Sequence, residues 1–296
     1  MRRQIGYAIA AGLLLVAAAA GLPLVRAVAL LQAPSRHSPL PPADLAVAEV
    51  SFPAADGVPL AGGLARARPG GPAVALVAGF KEDRLSMLPY ARFLRAAGYT
   101  VLLYDSRGVG RSGGSFSLGL REVADARGAV AYLRRAGLAG HGVGLLGVSL
   151  GAGVAVVAAA SDPLVTATVA DSAYVDQTRT VSRLDTLALG PLRLPLLPVA
   201  PWAVDHLLGT PLAAFSPLQA VGHIAPHALL LIHSRDDTNP TTPLAGALAL
   251  RRAARGPVEL WIAPHGGHAG ALAANPIEYH RRVLAFLRRY LQPAQP

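Results

Sequence analysis

Apolar positions along this chain fall into two kinds of run. Short unbroken runs read as buried strands: Ala73–Val77, Thr100–Tyr104, Gly142–Gly147, Leu164–Ala170, Ala228–His233 and Val258–Ala263. Between them lie stretches that read as helices, several of them ending beside glycine: Arg84–Ala97 before Gly98, Leu118–Ala136 before Gly137, Leu150–Ala160, Leu244–Ala254 and Pro276–Leu291. Ahead of these, Ala46–Phe52 and Val58–Arg66 alternate as a hairpin, with Asp56-Gly57 at its turn. Strand and helix alternate for most of the length. The pattern predicts an α/β fold with a mainly parallel central sheet and helices on both faces. One stretch breaks it. Residues 172–212 are rich in Leu, Pro and Ala and show no regular strand alternation, which reads as a small cap or lid insertion.

The amino terminus has a different pattern. After Met-Arg-Arg-Gln, Ile5 to Val25 runs without a charged side chain. As a helix it spans roughly 30 Å, one bilayer core. The two arginines before it favour keeping that end in the cytoplasm and the rest outside. Residues 1–30 therefore read as an uncleaved membrane anchor, with the membrane met through residues 5–25. A cleaved signal peptide, cut after Ala18-Ala19-Ala20 or Ala27-Val28-Ala29, is the alternative and leads to secretion. Residues 31–45, with their prolines, read as a linker, and 46–292 as the main domain.

Composition narrows the function. The 296 residues are 52% apolar and 15% charged, which excludes a disordered chain. There is no cysteine, so disulfides, thiolate metal sites and a cysteine nucleophile are all excluded. The net charge is +10, yet Lys81 is the one lysine and the arginines are scattered singly or in pairs. With no basic run and few aromatics nearby, no nucleic-acid partner is expected. No cofactor or metal motif appears either. Gly108-Val109-Gly110 lacks the full dinucleotide fingerprint, and no His-Glu-x-x-His pattern surrounds His265 and His268.

The sharpest motif is Gly147-Val148-Ser149-Leu150-Gly151, set where a strand meets a helix. A serine at such a turn stands exposed, with backbone N–H groups and a helix amino end beside it. A nucleophilic serine needs a base and an orienting carboxylate. Ser234-Arg235-Asp236-Asp237-Thr238 follows a strand, and Asp237 is the expected acid, with Asp236 as the alternative. Pro264-His265-Gly266-Gly267-His268 follows the last strand, and His268 is the expected base, ahead of His265. Backbone N–H groups of Phe80, in the loop after the third strand, and of Leu150 are the expected oxyanion donors.

These residues resemble the α/β-hydrolase superfamily, in its serine-aminopeptidase-like branch of esterases, lipases and peptidases. Ala78-Gly79-Phe80, Tyr104–Ser112, the elbow, Ser234–Asp237 and Gly267-His268 match in order, over about residues 46–292. Tyr104–Ser112 resembles the superfamily's Asp-x-Arg-Gly-x-Gly-x-Ser loop, a structural support beside the site. Ala78 stands where the family usually has His, and Ser234 where it often has Gly. The resemblance implies hydrolysis of an ester, thioester or amide through an acyl-serine intermediate, without a cofactor. The apolar cap points either to an apolar acyl substrate, small or lipid-like, and so to a membrane-tethered esterase or lipase-like enzyme, or to leucines that simply pack the cap on the core. A serine peptidase, an acyltransferase on the same triad and a non-catalytic binding scaffold are the alternatives.

Overall fold

The computed structural model describes residues 2–32, 45–67, 71–139 and 142–291, and most of the expected linker lies outside these. Its elements run α1 (Arg2–Leu31), β1 (Ala48–Pro53), β2 (Pro59–Ala65), β3 (Ala73–Val77), α2 (Leu88–Ala96), β4 (Thr100–Tyr104) and α3 (Glu122–Arg135). Then come β5 (Val143–Val148), α4 (Leu150–Ser161), β6 (Val165–Asp171), α5 (Gln177–Ser182), β7 (Thr186–Leu189), β8 (Leu192–Pro195) and α6 (Ala200–Leu208). The remainder is α7 (Pro217–Ala220), β9 (Ala228–Ser234), α8 (Leu244–Ala253), β10 (Val258–Ala263), α9 (Ala271–Ala274) and α10 (Pro276–Tyr290).

The chain divides into two compact units. Met1–Gln32 with Asp176–Ala214 is one, and Ala33–Val175 with Phe215–Pro296 is the other. The larger unit holds an eight-stranded sheet in the order β1-β2-β4-β3-β5-β6-β9-β10. The pairs β1–β2 and β2–β4 are antiparallel and every later pair is parallel. Central strands are buried along their whole length, which is why their sequences are unbroken apolar runs. Alternate residues (Val74, Leu76, Leu146, Val148, Val169, Ile232) share one apolar core with Phe93 of α2 and Tyr279, Val283 and Phe286 of α10. α3 and α4 pack on the sheet as well.

The amino end of α3 differs from the expected start at Leu118. Leu118 and Gly119 both have positive φ, 59° and 101°, outside the helical region. The buried Glu122 carboxylate instead accepts the N–H groups of Ser117 and Gly119 and the Ser117 hydroxyl. The helix begins there because those donors find their acceptor there. The Tyr104–Ser112 segment is tied down by its own polar groups. Arg107 lies between Asp56 and Asp125 at 2.8 and 2.7 Å. Asp105 accepts the backbone N–H groups of Arg84 and Arg111.

In the smaller unit, the stretch without expected strand alternation contains an antiparallel hairpin, β7–β8, pairing Leu187 with Leu194 and Leu189 with Leu192. Its base is closed by Asp185, whose carbonyl accepts Leu196 N–H at 2.7 Å and whose carboxylate accepts Ala200 N–H at 2.9 Å. The carboxyl-terminal half of α1 belongs to the same unit. Leu197 N–H donates to the Ala19 carbonyl at 3.2 Å, and Arg26 donates to the carbonyls of Leu184 and Thr186 at 3.1 and 3.0 Å. Helix α1 is long and apolar enough to cross a membrane, as an anchor or a signal peptide would be.

Candidate active site

The site lies at the carboxyl ends of β5, β9 and β10, where open α/β sheets place their ligands. Ser149 follows β5 and precedes α4 with φ 55° and ψ −118°, a conformation that non-glycine residues rarely adopt. The flanking glycines make that turn feasible. A Cβ on Gly147 would stand 2.1 Å from the Gly151 carbonyl oxygen, and one on Gly151 would stand 2.2 Å from the Val77 carbonyl oxygen. No side chain fits at either position, so α4 packs directly on the ends of β3 and β5.

Three of the expected residues meet. Ser149 Oγ and His268 Nε2 are 2.9 Å apart, and His268 Nδ1 and Asp237 Oδ2 are 3.1 Å apart. The Asp237 side chain is fully buried, Ser149 is nearly so, and the His268 side chain is 27% exposed, which leaves the imidazole reachable from solvent. The two alternatives stand elsewhere. Asp236 accepts the N–H groups of Gly267 and Gly266 at 2.9 and 3.3 Å, so it holds the loop that carries His268 and does not touch the ring. These N–H groups, Gly267 first, draw its pKa below the ordinary carboxylate range. His265 accepts Asn275 Nδ2–H on its carbonyl. Gly266 and Gly267 have φ of 144° and 58°, which accounts for the paired glycines before the histidine.

For the oxyanion donors, a Cβ on Gly79 would lie 3.6 Å from Ser149 Cβ, which puts the loop after β3 against the serine. Among the described residues, the N–H groups of Phe80 and Leu150 donate to no protein acceptor. They remain available to an incoming oxygen. The Glu82 carboxylate accepts Gly79 N–H at 3.3 Å and so ties down the loop that follows Ala78.

Other groups at the site carry no motif. Thr242 Oγ1 lies 2.9 Å from His268 Nδ1 and 3.5 Å from Asp237 Oδ2. His233, in β9 and fully buried, places Nε2 3.4 Å from Asp237 Oδ2, the same oxygen that faces His268, and burial lowers its pKa. Ser172, with φ 55°, donates from its hydroxyl to the Asp171 carboxylate and accepts Ala269 N–H, linking the end of β6 to the histidine loop. Asp171 also accepts from Tyr279, and its carbonyl accepts Ser149 N–H at 2.8 Å. Burial pushes the Asp171 carboxyl up to about 6. Spacing alone marks none of these residues, because each acts through a contact made only in three dimensions. A cavity of about 250 Å³ lined by Met87, Tyr90, Val148, Ala269 and Leu272, with Glu82 at its wall, lies next to the chain neighbours of Ser149 and His268.

Comparison with known proteins agrees with this architecture. Residues 87–294 match the model of the prolyl oligopeptidase family. A Bacillus subtilis (strain 168) protein described as uncharacterized, YqkD, is 30% identical over 218 residues, covering 71% of this chain and 68% of its own. A polyketide transferase of a Penicillium species, GrgF, is 33% identical over 135 residues, 44% of this chain and 46% of its own. Among solved structures, the Pyrococcus furiosus esterase Pf2001 superposes with a TM-score of 0.72 at 24% identity, over 88% of this chain and 100% of that one. The crystal structure of GrgF gives 0.67 at 24% identity, over 85% and 99%. These structural likenesses show the fold, that of the α/β hydrolases.

Proposed function

Since the chain belongs to the prolyl oligopeptidase family, with an α/β-hydrolase fold, we propose that it is a serine hydrolase working through Ser149, His268 and Asp237. The observation that carries this reading is the continuous relay from Ser149 Oγ to His268 Nε2 and from His268 Nδ1 to Asp237 Oδ2. His268 takes the hydroxyl proton as Ser149 attacks the substrate carbonyl, forming a tetrahedral intermediate. The oxyanion is met by the N–H groups of Phe80 and Leu150. Collapse expels the leaving group, which takes the proton from His268 and leaves an acyl-serine. Water, deprotonated by the same imidazole, then releases the acid. Asp237 holds the ring and stabilises its charged form.

The substrate we propose is a carboxylic ester with an apolar acyl chain, taken by an enzyme tethered through residues 5–25 with its catalytic domain outside the cytoplasm. The mainly apolar cavity lined by Val148 and Ala269, the chain neighbours of Ser149 and His268, and the apolar helix α1 support it. The family description favours a second reading, cleavage of short peptides, and the GrgF likeness favours acyl transfer to an acceptor other than water. Fluorophosphonate labelling of wild type beside Ser149→Ala tests the nucleophile, with labelling of the wild type alone expected. An acyl-ester chain-length series run against aminoacyl amides then tests the substrate. Faster turnover of the amides than of any ester overturns the esterase reading, and an alcohol adduct as main product assigns the transferase.

A further inference from the structure

Sixteen consecutive residues of α1, Arg3 to Ala18, belong to a stretch whose described side chains are all exposed. At 1.5 Å per residue they span about 24 Å. A bilayer core is about 30 Å thick and needs about 20 residues. A membrane that begins at Arg3 therefore does not end at Ala18; it reaches past the turn where the insert takes hold of the helix. That hold starts at Ala19, whose carbonyl accepts Leu197 N–H, and continues to Arg26, which donates to Leu184 and Thr186. The foot of the β7–β8 hairpin is thus fixed to α1 at the depth of the leaflet boundary.

The side chains there suit that depth. Leu189, Leu192, Leu194 and Leu197 are 54, 53, 39 and 41% exposed, and every residue of β8 is exposed. On α6, Trp202 is 64% and Leu207 51% exposed. Trp202 stacks on His206, an apolar body with polar edges of the kind that gathers at membrane interfaces. The hairpin carries one charge, Arg193, near its turn and no carboxylate, which matches anionic headgroups. In water so many large apolar side chains on one small unit would be a liability.

We propose that the β7–β8 hairpin and the exposed side of α6 are bedded in the leaflet boundary of the same bilayer that α1 crosses, so that helix and insert form one membrane-bound body. This rests on the tethered reading above, and the test separates the two. The full chain is reconstituted in vesicles of phosphatidylcholine and phosphatidylglycerol brominated on the upper acyl chain. Trp202 and Trp261 are its only tryptophans, and Trp261 is buried in the core of the larger unit. Lipid quenching of the emission is expected, lost in Trp202→Phe and diminished in a Leu192→Asp, Leu194→Asp variant. Alkaline carbonate reports the anchor independently, and the chain should stay with the membrane. Retention without lipid quenching overturns the proposal: quenching of Trp202 by acrylamide then places the surface in water, and protection from both quenchers assigns it to a second copy of this chain. Release by carbonate with lipid quenching intact overturns the anchor and leaves the docked surface standing. Release without quenching overturns both.

Discussion

The elbow at the end of β5 and the insert around β7–β8 are both rich in small and apolar residues, yet they are specified in opposite ways. At the elbow the constraint is internal. Gly147 and Gly151 leave no room for a methyl group, and Ser149 is held at φ 55° by packing on every side. In the insert Leu189, Leu192, Leu194 and Leu197 face outward and stay exposed. The first region is built by sterics within the chain. The second presents its apolar side chains outward, as the proposed contact with a bilayer requires.

The sharpest way to sharpen this contrast uses two neighbouring carboxylates. Asp237→Asn leaves the ring of His268 facing an amide and should lower kcat by roughly ten-thousand-fold. Asp236→Asn keeps an acceptor for the loop N–H groups and should cost no more than about tenfold. Steady-state rates on one activated ester compare them, and equal losses would mean that loop position, not ring orientation, is what the site needs. Next in size is Gly151→Ala, which forces a methyl against the Val77 carbonyl and should destabilise the fold by at least about 1–3 kcal/mol, read by urea unfolding. A normal midpoint would break the steric account of the elbow.

A third effect is a pH dependence. Asp171 titrates at about 6 when folded against 3.8 as an ordinary carboxyl. Between those values the native state keeps a proton that the unfolded chain has released, so stability falls as pH rises through that window, by up to about 3 kcal/mol. Asp171→Asn should flatten that slope. Asp125, raised to about 6 by burial, keeps part of it. The smallest effect belongs to the insert, where Leu192→Ser should shift stability by no more than about 0.5 kcal/mol in either direction. A large loss there would mean the leucine is packed and not presented.

Much of the sheet is legible in the sequence because a doubly covered parallel strand must be apolar throughout, as Ala73–Val77 and Val143–Val148 are. The start of α3 is not, because Leu118 looks helical by periodicity while its backbone is left-handed. The β7–β8 hairpin is hidden for another reason. Its Leu-Ala-Leu and Leu-Arg-Leu triplets are three residues each, split by Gly190-Pro191 and followed by Pro195, so the alternation is too short to stand out. At the site, Ser149, Asp237 and His268 follow from the strand-end motifs. His233 and Thr242 do not, since their nearness to Asp237 depends on how β9 and the following loop fold back. Nothing in the spacing of residues 19–26 and 184–197 announces that they bond to one another.

The sheet order has one more consequence. Ser149 hangs from an interior strand, but His268 hangs from β10, which pairs with β9 alone and whose residues are in part exposed. Edge strands open more readily than central ones. On warming, His268 should drift off while the part of the sheet that carries Ser149 is still native, so that any turnover on the proposed triad should be lost ahead of melting. The lifetime of the Ser149–His268 pairing should then follow the fraying of the last strand, with the strength of the core setting a different clock.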